Sequence, residues 1–442
     1  PMPATKRHNN ATPEKANTKR TRASPASDTE AAAKRAKKRV RTLLNKVAER
    51  PTDAGRVFVC GTNDFGQLGI EGDEKSRPVP LKTLADVDIV DVICGGLHSF
   101  AMTPEGNLYS WGCADEGVLG REGNNEVPAK VDVGDVSFVK VVSGDCINMA
   151  ITAEGKLYTW GTYRGTEGIF GFSPTLLNQR TPLLYSALAK EIIVDIATGT
   201  NHSLALTAEG RIYAWGYGEQ GQLGRRVSVR HPKDSLRCDL VGLKNVKLIG
   251  AGSYHSLAVT HDNKLYAWGL NNYRQCVDSD ENIIPSPTLV SLPESVGTIV
   301  SVDAGEHFTL IVNEAGEVFT YGRGDANQLG LSEEVMAPLK VKSEESAFKF
   351  IIPVATKVSD LPPVSHVSAG TEFVLIACQN GQGYSWGFNS SNAIGNGSDD
   401  DEPVPKLLRG KNLGTNLILR VAAGGQHSVF LTKPAADAPA SA

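Results

Sequence analysis

GTNHSLALTAEGRIYAWG, residues 199–216, reads as two short strands around a tight turn. Ser203 to Thr207 alternates small or polar with large apolar side chains, the period of a strand. Ala208 to Arg211 makes the turn, Ile212 to Trp215 the second strand, and Gly216 ends it.

The same text recurs along the chain. It reads GGLHSFAMTPEGNLYSWG up to Gly112, GDCINMAITAEGKLYTWG up to Gly161 and GSYHSLAVTHDNKLYAWG up to Gly269. Looser copies end at Gly322 and Gly387. All five Trp (111, 160, 215, 268 and 386) share one slot of the repeat, and Tyr321 fills it in the remaining copy. Five positions before that slot stand Gly106, Gly155, Gly210, Asn263, Gly316 and Gly381, the composition of a turn residue held at positive φ.

The two ends are complementary. Residues 424–432 are a first half without a second, and residues 55–61 a second half without a first. Joined, they make a seventh unit and close a ring, which leaves only short, protected edges. The expectation is an all-β fold: a seven-bladed β-propeller over residues 55–432, with a basic tail at 1–54 and a flexible tail at 433–442. Gly to Gly, the repeats run 51, 49, 55, 53, 53 and 65 residues. The longest predicts an extra loop around Lys340–Pro363.

Composition narrows the function classes. No apolar run approaches the 18 residues of a membrane span, and the N-terminal charge comes without the apolar run of a secretory signal. Seven scattered Cys without a Cys-x-x-Cys pair read as reduced core thiols and argue against zinc. The net charge of −4 conceals two opposed parts. Residues 1–50 hold 14 Lys/Arg against 4 Asp/Glu, or +10, and the remainder is −14. A basic tail on an acidic ring suggests an acidic polymer for one and a basic surface for the other.

Within the tail, Lys19, Arg20 and Arg22 with Lys34, Arg35, Lys37, Lys38 and Arg39 resemble a bipartite nuclear import signal, and the same charges suit phosphate contacts. Residues 30–49 combine good helix formers with Val40, Leu43, Leu44 and Val47 on one stripe, which predicts a basic amphipathic helix.

Six residues past each Trp slot comes a Gly-x-Leu-Gly type turn, as at Gly66, Gly117 and Gly221. After Trp160 it comes two residues late, within the stretch from Gly161 through Tyr163, Arg164 and Glu167 to Gly168, Ile169, Phe170 and Gly171. The repeat of about 50 residues ending in Trp-Gly resembles that of the regulator of chromosome condensation family, over residues 55–432. This motif marks the propeller and is shared with adaptors, so it does not by itself mark an activity. The resemblance implies nucleotide exchange on the small GTPase Ran, and the interrupted stretch is similar to the wedge that such exchange factors project from one face. It further implies that Arg164, Glu167, Gly168, Ile169, Phe170 and Gly171 act on the GTPase, helped by Asp64, His98, Asp145, Asn201, Arg225, His255, His307 and His427. Asn201 stands where the family usually has Asp. By the same resemblance, Arg226 and Arg230, in the loop after Gly224, join the tail in binding the nucleosome. An import receptor is the third implied partner.

Repetition also favours a plainer role for some of these. His98, His202, His255 and His427 occupy one slot in four of seven units, which reads first as scaffold. His307, shifted by one, and Asp145, which breaks the pattern after Gly144, are better candidates for contact. No phosphate-cradling loop, nucleophile elbow or metal-ligand run occurs, so neither covalent chemistry nor a cofactor is expected, and the protein is expected to be monomeric and nuclear. The competing readings are a propeller adaptor without exchange activity and, far behind, a Trp-based photoreceptor of the same fold.

Overall fold

In the computed structural model, residues 42–342 and 350–435 are described. From Leu43 onward they form one compact unit. Seven antiparallel sheets stand around a central channel, with inner strands Asp91–Cys94 (blade 1), Phe138–Ser143 (2), Ile193–Thr198 (3), Val246–Ala251 (4), Ile299–Ala304 (5), Val364–Ala369 (6) and Leu417–Ala423 (7). Blade 7 closes the ring as expected: Arg56–Gly61 pairs with His427–Lys433, with Val59 opposite Val429. Its two inner strands come from the end of the chain, its two outer ones from the beginning.

The repeat text has a mechanical meaning. In the second strand of each blade nearly every residue is buried, because apolar side chains face both neighbouring blades. Each Trp is buried, and four of the five indole N–H groups donate to a turn carbonyl of the preceding blade: Trp111 to Gln67, Trp160 to Val118, Trp268 to Gln222 and Trp386 to Gln328, at 2.8–3.0 Å. The same carbonyls take the side chain just past the His slot, as Ser99 does on Gln67 and Ser256 on Gln222. One peptide oxygen thus ties two strands of the next blade.

The glycines that precede the second strands line the channel. A Cβ at Gly199 would stand 2.2 Å from the His202 ring and 2.3 Å from the Gly252 carbonyl of the next blade, so no side chain fits. The channel is a cavity of about 530 Å³. Two ion pairs run laterally between blades at its wall, Arg420 with Asp91 at 3.8 Å and Lys140 with Asp195, while the Asp303 carboxylate accepts the N–H groups of Ala304 and Ala369.

Two expectations need correction. The helix foreseen over 30–49 is not formed where it can be seen: residues 42–50 have no helical structure, and 30–41 lie outside the described residues. The segment is instead a strap without regular secondary structure on the ring face that carries the hairpin turns. Leu44 and Asn45 N–H donate to the Ala208 carbonyl, Asn45 Nδ2 to Val246, and Ala48 N–H to Val194. The Arg50 guanidinium reaches Phe138 O, Pro104 O and Ser137 Oγ, and Gly55 N–H reaches Ile89 O. Tertiary hydrogen bonds to four blades outweigh the local helical preference of Leu, Lys and Ala. Val47 packs into two blade cores while Leu43 is 59% exposed, so the apolar stripe is split. The compact unit thus extends back to Leu43, ahead of the first blade strand at Arg56.

The extra loop expected around 340–363 contains two strands among its described residues, with 343–349 outside them. Phe350–Lys357 is the fourth strand of blade 5, and Val341–Lys342 adds a fifth at its edge.

Candidate functional site

The loops between first and second strands and those between third and fourth strands all emerge on the face opposite the strap. Six of the seven Trp-to-turn loops there are versions of one tight turn, in which the residue six past the slot takes positive φ even as Arg274, Asn327 or Asn392. The seventh is a hairpin. Tyr163–Gly165 pairs with Gly168–Gly171, Arg164 opposite Ile169. Gly168 and Gly171 have φ of 104° and 130°, which only Gly adopts readily, so the two extra residues convert a turn into a projecting ribbon.

Its root is fixed by Tyr163, which is buried, its hydroxyl 2.8 Å from Ser203 Oγ. Thr162 Oγ1 donates to Leu177 O at 2.6 Å. Asn201 Oδ1, from blade 3, accepts the Arg164 N–H at 2.7 Å, and the Arg164 guanidinium binds Glu116 Oε1 of blade 1 at 2.8 Å. Phe170 meets the Tyr217 ring edge-on at 5.3 Å, and Gly165 lies against the same ring. At the exposed side stand Arg164, Glu167 and Ile169, the last 48% exposed.

Asp145 sits between the channel mouth and a second cavity of about 520 Å³ that includes Arg164, Glu372 and Phe388 in its walls. Its carboxylate is reachable, yet the surrounding rim strips enough water to raise its pKa to about 6, with Arg164 pulling the other way. Burial and the nearby Glu372 likewise raise Glu306. Arg323 answers part of this charge: it binds Asp325 and Glu372 at 2.5 Å and lies over the Tyr273 ring, against which His307 also packs. Asp64 is exposed in the blade 7 turn beside Phe65, itself 49% exposed. The centre of this face is therefore acidic, with an aromatic and aliphatic ribbon at its side.

Asp64, Asp145, Asn201, His307 and the ribbon thus share one face, as expected. Four other residues expected there are drawn inward, into the ring or their own loop. His98, His255 and His427 are fully buried between blades, as is His202. Each Nε2 pairs with a polar side chain of the next blade: His98 with Asn148 (3.0 Å), His202 with Ser256, His255 with Thr309 and His427 with Ser99 (2.8–2.9 Å). Burial lowers their pKa values to about 4 for His98 and about 3 for the others, so they stay neutral rivets of the ring. Arg225 turns inward as well, donating to the carbonyls of Ala214, Ser235 and Arg237. It staples its own loop, as Arg121 does in blade 1. Arg226 and Arg230 of that loop are exposed, with Val229 95% exposed between them. The tail residues Lys19, Arg20, Arg22, Lys34, Arg35, Lys37, Lys38 and Arg39 lie outside the described residues.

Sequence reasoning missed Glu116, Tyr217 and the Tyr273–Arg323–Glu372 group, since their contacts join separate blades. Tyr163 was legible as part of the break but not as its anchor. Among the described residues no three His, Cys, Asp or Glu are placed to hold a metal, and all seven Cys are free. Among the same residues no helix is long and apolar enough to cross a membrane.

A closed seven-bladed ring with one projecting ribbon beside an acidic rim is a β-propeller with a specialised face. The chain belongs to the RCC1-like domain family, whose pattern matches residues 56–430. It is 31% identical to the guanine nucleotide exchange factor SRM1 of Saccharomyces cerevisiae, covering 84% of this chain and 86% of that protein. It is likewise 31% identical to the human regulator of chromosome condensation, over 88% and 93%. The crystal structure of yeast Prp20p, described with its binding properties to Gsp1p and histones, superposes with a TM-score of 0.84 at 33% identity, over 88% of this chain and 94% of that one. The same yeast protein bound to Kap60 gives 0.84 at 32%, over 91% and 96%.

Proposed function

We propose that this chain is a guanine nucleotide exchange factor for the small GTPase Ran, acting in the nucleus on chromatin. The observation that carries this is the ribbon at 163–171, the one place where the Trp-to-turn spacing lengthens and a turn becomes a projection. The named relatives support it, since they include a guanine nucleotide exchange factor and a protein described with its binding to Gsp1p and histones.

Catalysis of this kind needs no covalent step. The ring must bind the nucleotide-free GTPase more tightly than the loaded form, because equal affinity for both would shift nothing. By linkage, the factor by which the ring weakens nucleotide is the factor by which nucleotide weakens the ring. Ile169 and Phe170 on the ribbon press on the phosphate-binding region, while Asp145, Glu306 and Asp64 hold basic side chains of the partner. Opposed charges also speed encounter. Arg226 and Arg230, with the basic tail, serve the chromatin side, and the tail also serves an import receptor. The test is release of fluorescent GDP from purified Ran. A rate unchanged by this protein would refute the reading and favour a propeller adaptor.

A further inference from the structure

We propose that Glu116 is a positioning residue for exchange: it acts through Arg164 to set the lean of the ribbon over the GTPase. The inference rests on the exchange reading above. Two independent observations carry it.

The first is the ion pair. The ribbon belongs to blade 2, and the neighbouring blades guy it from both sides. Blade 3 holds the Arg164 main chain through Asn201 and the Phe170 ring through Tyr217. On the blade 1 side the tie runs from Glu116 Oε1 to Arg164 Nη1, at 2.8 Å. The Glu116 side chain is only 12% exposed and the Arg164 side chain 44%, so the carboxylate is seated in the ring and the guanidinium comes down to it. Arg164 follows the buried anchor Tyr163, so a small rotation there is magnified at Ile169.

The second is the backbone. Glu116 stands just before the positive-φ residue of its turn. The equivalent residues of five other turns are Phe65, Gln220, Tyr273, Ala326 and Ser391, and none has positive φ. Glu116 alone does, at 54°. A left-handed conformation is unfavourable for a residue with a Cβ and persists where its surroundings hold it. Here the unusual backbone aims the carboxylate at the ribbon, in the turn of blade 1 that faces it.

A residue that orients the ribbon affects the step in which nucleotide is expelled more than the first docking of the partner. The experiment is steady-state exchange on Ran loaded with fluorescent GDP, using the full chain and its Glu116→Gln, Arg164→Ala and double variants, with thermal melts as the folding control. Glu116→Gln is expected to lower kcat about threefold to fivefold with KM nearly unchanged, the range of one partly exposed ion pair. The double variant should be no slower than Arg164→Ala alone, because Glu116 works through that arginine. A charge-reversed pair, Glu116→Arg with Arg164→Glu, should recover part of the rate lost in either single reversal. Wild-type exchange by Glu116→Gln, a loss confined to KM, or multiplied losses in the double variant would each overturn the proposal. Failure of the wild-type chain to release GDP would instead defeat the exchange reading itself, and with it this one.

Discussion

The Tyr163 phenol lies 2.8 Å from Ser203 Oγ, where in other blades a main-chain carbonyl receives the corresponding side chain. Elsewhere that carbonyl comes from the Gly-x-Leu-Gly turn of the preceding blade and also takes the Trp N–H. The ribbon removes the turn from blade 2, and with it the acceptor owed to Trp215 and Ser203. Tyr163 supplies an oxygen to both and is strongly shielded, so burial raises its pKa. The projection and the repair of the ring are therefore made by adjacent residues. Tyr163→Phe should cost about 1–2 kcal/mol, the penalty of leaving buried donors unmatched. A shift of the urea midpoint without a change of slope would register it.

The ribbon side chains should matter for rate and not for folding. Ile169→Ala with Phe170→Ala is expected to slow Ran-GDP release at least about tenfold, because it removes interactions made chiefly in the nucleotide-free complex. The melting temperature should fall only modestly, since Ile169 is half exposed and Phe170 gives up a partly buried, edge-on contact with Tyr217. Normal exchange by this double variant would remove the ribbon from the mechanism.

Asp145 gives a pH dependence with a definite sign. Folding raises its pKa to about 6, so the folded protein binds this proton more tightly than the unfolded chain. Its contribution to stability is greatest below about pH 4 and falls as pH rises through 6. Asp145→Asn should flatten that part of the stability curve and leave the protein more resistant at pH 7.5. Partner binding should move oppositely in the wild type: a cationic group prefers the ionised carboxylate, so affinity for the GTPase rises between pH 5.5 and 7 and does so less in the variant. Titration calorimetry at three pH values would measure this.

The strap should behave as part of the ring. Compared with a chain beginning at residue 42, one beginning at residue 55 lacks the main-chain bonds of Leu44, Asn45 and Ala48 and the three hydrogen bonds of Arg50. The expected destabilisation is about 2–4 kcal/mol, from a handful of hydrogen bonds each worth about 1. Arg50→Ala alone should show a part of it. Equal denaturation midpoints for the two truncations would contradict the assignment.

Chromatin binding should divide between tail and loop. Deleting residues 1–40 should weaken nucleosome binding and flatten its salt dependence, since the slope falls by roughly one for every phosphate that is no longer neutralised. Arg226→Ala with Arg230→Ala should weaken it further. A gel shift that survives both changes would exclude these residues.

The ring was legible because each rule was written several times. A single Trp-Gly or a single positive-φ Gly means little, but repetition in register fixes strand order, turn type and closure. The ribbon was legible as the exception to that register. What could not be read were contacts that run between blades. The slot His residues reach Asn148, Ser256, Thr309 and Ser99, some 50 residues away for the first three and around the closure for the last, and this places them in the wall rather than on the face. Arg225 shows a related limit: nothing local indicates that its guanidinium will satisfy the carbonyls of Ser235 and Arg237. Residues 42–50 show the limit of periodicity, because an apolar stripe records where side chains are buried only if the segment is free to choose its own backbone.

Blade 7 makes the order of synthesis matter. Arg56–Gly61 is made well before its inner neighbour His427–Lys433, by roughly twenty seconds to a minute at ordinary elongation rates. Through that interval a six-residue, mostly apolar edge waits without its partner, a template for any other nascent chain. A ring closed by strands so far apart in the chain has no finished intermediate before they pair, and its yield in cells will depend on what shields that edge until the partner strand arrives.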